Sequence, residues 1–175
     1  MEIRDAAAQD LQALLDLKNH AVRHLDATWT TVLETLESTQ RWLEAQRQAE
    51  LPVLVACDSQ GGVIGYGSYG PYRPKSGYRF TISHSVYVRP GCQGGGAGSA
   101  LLQALITRAE RGGYHVMVAG VDGGNDGSIA FHQKHGFEIS GRLPQAGTKF
   151  GRWLDLVLMT RVLNGDPPPE HPAVR

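Results

Sequence analysis

Apolar residues recur along this chain at two spacings, and each switch between them marks a new element. MEIRDA, residues 1–6, reads as a short strand. Leu11, Leu14, Leu15, Leu17 and Val22 then fall at near-helical intervals, with Asp10 placed to cap the first turn. A second helix is predicted over 36–49, capped by Thr35 and turning Trp42 and Leu43 inward. LPVLVACD and VIGYGSYG, separated by SQGG, are β-rich runs around a glycine-containing turn and predict a hairpin.

The second half repeats the theme. PYRPKSGYR, 71–79, holds two prolines and a glycine and is read as a loop. Residues 80–90 alternate Ile82, His84, Val86 and Val88 against Ser83, Ser85 and Tyr87, a strand that Pro90 ends. Leu101, Leu102, Leu105, Ile106 and Ala109 mark an amphipathic helix beginning near Ser99 and stopped by Gly112 and Gly113. HVMVAGV, 115–121, is a buried strand. A helix from about Ser128 to His135 is closed by Gly136, and FEISGRL and WLDLVLMTRVL supply two last strands. The order β-α-α-β-β-β-α-β-α-β-β predicts one α/β (α+β) domain over 1–163, a mixed sheet flanked by helices. The proline-rich tail, 164–175, is expected to be disordered.

Charge narrows the partners. Seventeen basic residues balance seventeen acidic ones, so no electrostatic footprint for nucleic acid or a membrane surface is present, and a small molecule is the expected partner. Only Cys57 and Cys92 occur, far apart, which suits a reduced, cytoplasmic protein. No apolar run approaches the roughly 20 residues of a membrane-spanning helix.

The candidate chemistry starts at GCQGGGAGSALL, where four glycines in five positions, 94–98, lead into a helix. A helix N-terminus offers unpaired amides and partial positive charge, so this is an anion site with phosphate as its natural guest. A Walker loop requires Lys and then Ser or Thr after the last glycine, whereas Gly98 is followed by Ser99 and Ala100. The dinucleotide fingerprint fails too, since the position three beyond Gly96 is Ser99. What remains is Gln93, Gly96 and Gly98 as Q-x-x-G-x-G between a strand and a helix.

That pattern resembles the pyrophosphate loop of the GCN5-related N-acetyltransferases. Within them the chain is similar to the phosphinothricin and methionine sulfoximine or sulfone branch: NHAV at 19–22, SYG-x-x-RP at 68–74, HSVYV at 84–88, HVMVAGV at 115–121 and GTKFGRWLDL at 147–156. The resemblance implies a mixed, mostly antiparallel sheet and acetyl-CoA as acetyl donor, with no metal. It implies a small amino-acid-like amine as acceptor and a homodimer. Carried over by position, Val86, Tyr87 and Val88 would offer main-chain groups to the pantetheine arm. Gln93, Gly94, Gly95, Gly96, Ala97, Gly98 and Ser99 would hold the diphosphate, with Asn125 also touching the cofactor.

His132 occupies the position of a residue near the departing sulfur. His135 makes HQKH look like a metal pair, but no third ligand accompanies it. For the acceptor, Arg73, Pro74, Lys75 and Arg79 would meet a carboxylate, Trp29 would line the pocket, and Ser83, His84 and Ser85 would frame it. KFGRW, with Lys149, Phe150, Arg152 and Trp153, resembles a part that closes the site, on its own subunit or its partner's. One position departs from the relatives. They read T-V-E-H-S-V-Y-V, with the glutamate as base, whereas this chain has Ser83 there, which leaves Ser83, His84 and His132 as candidates for the proton path. His84 is expected on the opposite face of the strand from Ser83. Two further readings stay open, an acyl-CoA-binding module with weakened catalysis and an acetyltransferase for a polyamine or a protein N-terminus.

Overall fold

A computed structural model of the chain describes residues 1–170. Seven strands form one sheet: β1 (Glu2–Asp5), β2 (Val53–Cys57), β3 (Val63–Pro71), β4 (Thr81–Val88), β5 (Val116–Asp122), β6 (Glu138–Lys149) and β7 (Arg152–Val162), in the order β1-β2-β3-β4-β5-β7-β6. Every pairing is antiparallel except β4 with β5. Four helices complete the order read from the sequence: α1 (Leu11–His24), α2 (Leu36–Gln48), α3 (Ala97–Arg111) and α4 (Asp126–Lys134). No helix among the described residues is long and apolar enough to cross a membrane.

Alternation along β2 shows how the two layers arise. Val53, Val55 and Cys57 pack with Leu14 and Leu17 of α1 and Leu43 of α2. Leu54 and Ala56 point the other way, into a larger core with Leu101, Leu102, Leu105 and Ile106 of α3 and Ile129 of α4. Each Val, Leu or Ile among these side chains stabilises the fold by roughly 1.5–3 kcal/mol on leaving water, so both helix layers are held by the same strand.

Several boundaries differ from the expected ones. Helix α3 starts at Ala97 and α4 at Asp126, two residues before the expected Ser99 and Ser128, because the caps Gly96 and Asn125 precede the first apolar contacts. Asp10 precedes α1, but its carboxylate leaves that helix uncapped and accepts from the Ala7 N–H (2.8 Å) and from Arg4 (2.7 Å). Strand β6 runs on to Lys149 instead of ending at Leu143, and the extra length is taken up by a register shift between Leu143 and Gly147. Pro144 cannot donate to the ladder, and the Gln145 N–H is satisfied by the Asp155 carboxylate at 2.8 Å. In the tail, residues 164–170 hold no helix or strand, and 171–175 lie outside the described residues.

The β6–β7 hairpin is fastened to the far side of the molecule by one buried cation. The Lys149 ammonium is 3% exposed and donates to the carbonyl oxygens of Ala21 (3.1 Å), Leu25 and Thr28 (2.7 Å), where α1 ends. Arg152 pairs with Asp26 in the same stretch. The Trp29 ring lies against Gly147, where any Cβ would come within 2.1 Å of it. Replacing Lys149 with Met strips three carbonyls of their donor. We expect Lys149→Met to lower unfolding free energy by about 3 kcal/mol in urea titration, whereas a change under 1 kcal/mol would show those carbonyls rehydrated at no cost.

Candidate functional site

Strands β4 and β5 pair for only three residues, Thr81 with Val116, Ile82 with Met117 and Ser83 with Val118, and then part. Each keeps its other neighbour past that point: β4 stays on β3 as far as Val88 opposite Gly65, and β5 stays on β7 as far as Asp122 opposite Leu156. The parting opens a cleft of about 460 Å³ between one strand edge and the other. From His84 onward the β4 edge that faces the cleft has no ladder partner among the described residues.

The cleft is closed at one end by the glycine loop and α3. Gly96 caps α3 with φ of +86°, a left-handed conformation that costs a Cβ-bearing residue about 1 kcal/mol or more. Having no side chain, Gly96 leaves the amides of residues 97–99 without a cap, and the first ladder bond of the helix is Ala100 N–H to the Gly96 carbonyl (2.9 Å). The 15-residue helix adds its dipole to those amides. An extended chain ending in a diphosphate fits this arrangement: bare amides at one end and an unpaired strand edge along the side.

Helix α4 forms the remaining wall. Asn125 lines the cleft and also caps α4, its Oδ1 accepting from the Ser128 N–H at 2.9 Å. His132, one turn beyond Ser128, places Nδ1 2.7 Å from the Ser128 carbonyl oxygen, which fixes its proton on Nδ1. Its Nε2 lies 3.2 Å from Nε2 of His84. Burial, aided by the neighbouring His132, drives the His84 pKa down to about 3. Burial also lowers His132, with His135 adding to the effect and the Ser128 carbonyl opposing it. At neutral pH both imidazoles are therefore uncharged.

Of the residues expected to hold the cofactor, Val86, Tyr87, Val88, Gln93, Gly94, Gly96, Ala97, Gly98, Ser99 and Asn125 all line this cleft, and Gly95 sits between two that do. His84, Ser85 and His132 line it as well. Ser83 does not. It ends the β4–β5 ladder, and alternation turns its side chain to the face away from His84, as expected; the β3–β4 register is unbroken there. The loop cations are not gathered at the cleft. Arg73 and Lys75 are exposed, Arg73 standing over the Tyr72 ring at 5.2 Å. Arg79 stacks on Phe80 at 4.6 Å and borders a separate depression with residues 164–169, at the opposite end of β4 from the glycine loop. Trp29 does not line the cleft, although Ala27 does. Among the described residues no cluster of metal-ligating side chains is present.

Sequence reasoning missed the second wall of the cleft, Ala119, Gly120, Val121 and Asp122 on β5, and the Ser128 and Phe131 side chains of α4. The strand-helix-strand run from β4 through α3 to β5 carried the signal, since such a crossover sets two strands parallel and adjacent.

A family model described as the acetyltransferase (GNAT) family matches residues 15–137. A Pseudomonas aeruginosa protein named L-methionine sulfoximine/L-methionine sulfone acetyltransferase is 50% identical over 165 residues, 94% of this chain and 95% of its own length. The phosphinothricin N-acetyltransferase of Alcaligenes faecalis is 39% identical over 93% of this chain and 82% of its own. A structure from Salmonella typhimurium, solved with its cofactor acetyl-CoA, superposes with a TM-score of 0.94 at 43% identity, covering 97% of this chain and 98% of that one.

A carboxylate at position 96 would introduce both a side chain into a left-handed position and a negative charge beside the uncapped amides. Gly96→Asp is expected to weaken acetyl-CoA binding by at least about tenfold, or 1.4 kcal/mol, in calorimetry. Unchanged affinity in a variant with the parent's melting temperature would remove the loop from the binding site.

Proposed function

The chain belongs to the acetyltransferase (GNAT) family, and from that membership we propose that it transfers acetyl from acetyl-CoA to the amine of a small amino-acid-like acceptor, of the methionine sulfoximine, methionine sulfone or phosphinothricin type. The observation that carries this reading is the parting of β4 from β5 over a loop of uncapped amides. The relatives that share nearly the whole length of the chain supply the class of acceptor.

In this reading the amides of 97–99 hold the diphosphate, and main-chain groups of Val86, Tyr87 and Val88 take the pantetheine arm as a strand takes a neighbour. Bound acetyl-CoA supplies a thioester whose carbonyl carbon the amine attacks. The chain's part is to align the two, to keep water out between Phe131, Phe137 and the strand edges, and to manage protons. His132 stands where the sulfur departs. Ser83 and Ser85 frame the acceptor on the opposite face of β4, and Arg73 offers the acceptor's carboxylate a guanidinium. Trp29, Pro74 and Lys75 complete the proposed acceptor side, and Arg79, on the separate depression beside residues 164–169, is left out of it.

We extend the proposal to a cytoplasmic homodimer. Phe150 (55% exposed) and Trp153 (67% exposed) stand uncovered on the β6–β7 hairpin, a surface suited to a second copy of the chain. Sedimentation as a monomer at micromolar concentration would remove that part of the proposal.

Turnover with amino acids, sulfoximines, sulfones, polyamines and peptides, followed by thiol release, tests the main reading. We expect release with the sulfoximine and sulfone amines; release with polyamines or peptides alone would move the acceptor to another class, and none with any amine would leave a binding module. Arg73→Ala is expected to raise KM for the amino-acid acceptor about tenfold with acetyl-CoA affinity unchanged, read by steady-state kinetics and calorimetry. Ser83→Glu restores a carboxylate base and should raise kcat on a sulfoximine substrate; a lower kcat would show that a different proton path is built in.

A further inference from the structure

Two neutral imidazoles meet where the β4–β5 ladder ends. His84 is the first β4 residue beyond the last pair, Ser83 with Val118, and no register shift between β3 and β4 re-aims it. Its side chain is 8% exposed and that of His132 is 9% exposed. Aromatic rings enclose both: Phe137 lies 5.3 Å from His84 and 5.4 Å from His132, and Phe131 lies 5.2 Å from His132, centroid to centroid. The contact is buried, and both rings border the cleft.

Hydrogen bonding dictates what this contact holds. The Ser128 carbonyl only accepts, so His132 carries a hydrogen on Nδ1. Its Nε2 and that of His84, 3.2 Å apart, accommodate one hydrogen between them, because two N–H groups face to face would repel. In the neutral pair that hydrogen belongs to His84, which leaves His84 Nδ1 bare; among the described residues this buried atom makes no hydrogen bond of good geometry, although the Val118 backbone lies close enough to favour a hydrogen there. The pair thus has room for one added proton, shared across the contact, with the bare Nδ1 free to carry the second ring hydrogen of His84. Around the cleft the other titratable groups are Tyr87 and Cys92 on the β4 and loop side, Asp122 on β5, and Lys134 on α4, with His135 one residue beyond it. Among the described residues none of these is hydrogen-bonded to either imidazole.

Building on the acetyl-transfer reading, we propose that His84 and His132 act together as a carrier for one proton in place of a carboxylate base: His132 Nε2 is the atom that exchanges the proton with the reacting atoms, its Nδ1 being held by the Ser128 carbonyl, and His84, whose Nε2 hydrogen it otherwise accepts, is its positioning residue. The balance is simple. As the amine attacks, a C–N bond forms and the ammonium nitrogen sheds two protons in all, one to the imidazole pair and one to water. As the C–S bond breaks, sulfur leaves with the bonding electrons and takes the proton back from the pair, which ends as it began. The return of the proton to sulfur is downhill, since a thiol has a reference pKa near 8.5 and both imidazoles are held below their usual 6.5.

Two variants and one titration test this. His84→Phe keeps an apolar body against Phe137 and removes the shared hydrogen; His84→Asn keeps a donor toward His132 but cannot take up a proton. Both are expected to lower kcat by about 10²-fold with acetyl-CoA affinity in calorimetry and the melting temperature near the parent's. Parental kcat in His84→Phe, or recovery in His84→Asn, would reduce His84 to packing or to a plain hydrogen bond and overturn the proposal. Independently of turnover, NMR titration of the parent should show a single proton taken up by the His84–His132 pair, the signals of both rings moving together. Two separate uptakes would overturn it as well. Absence of thiol release in the parent would instead fault the acetyl-transfer reading, and the titration would still decide the capacity of the pair.

Discussion

A backbone amide or carbonyl away from water needs a partner, and a strand edge inside a fold finds one in the next strand. In this chain β4 loses that neighbour after Ser83 while its other edge remains bonded to β3. The edge from His84 to Val88 is held rigid by the sheet and left to bond whatever enters the cleft. The rest of the site follows from this one interruption. The glycine loop is placed at the end of the opening because β4 runs directly into it, and α3 must leave from there to return the chain for β5. Helix α4 fills the space on the β5 side and brings His132 toward the point where the strands separate.

Legibility followed the range of the interaction. The glycine loop was readable because its chemistry is local: a bare cap, uncapped amides and a helix follow from consecutive residues. The sheet's two faces were readable from alternation, and β4 obeys it without a bulge. The cleft itself was not readable, because it depends on β4 and β5 ceasing to pair after three residues, and nothing in either segment states where a ladder between distant stretches ends. Arg79 shows the same limit. Eight residues from Tyr87 in sequence, it stands at the other end of the strand, beside Phe80 and residues 164–169. Lys149 was read within KFGRW as part of a segment that closes the site, and only packing across more than 120 residues reveals it as a buried anchor for the end of α1.

The histidine contact joins both ranges. Alternation sent His84 to the face opposite Ser83, as expected, and that face proved to be the one lined by α4. His132 stood out as a lone candidate from its place in α4, but the contact between the two rings spans 48 residues and two elements. Such a pair is expensive to bury, since each imidazole loses water and the two disfavour charging of one another. A sequence could fill that space more cheaply with apolar side chains, as Phe131 and Phe137 do beside it.

The alternation of β4 has a consequence for how the protein can diversify. Even-numbered side chains, Ile82, His84, Val86 and Val88, belong to the layer shared with α3 and α4, while Tyr87 packs in the layer shared with α1 and α2, the face to which alternation also turns Ser83 and Ser85. Mutation at odd positions therefore leaves the packing of the even-numbered side chains in place, while both parities still border the one cleft. A single strand of eight residues works as two interleaved registers.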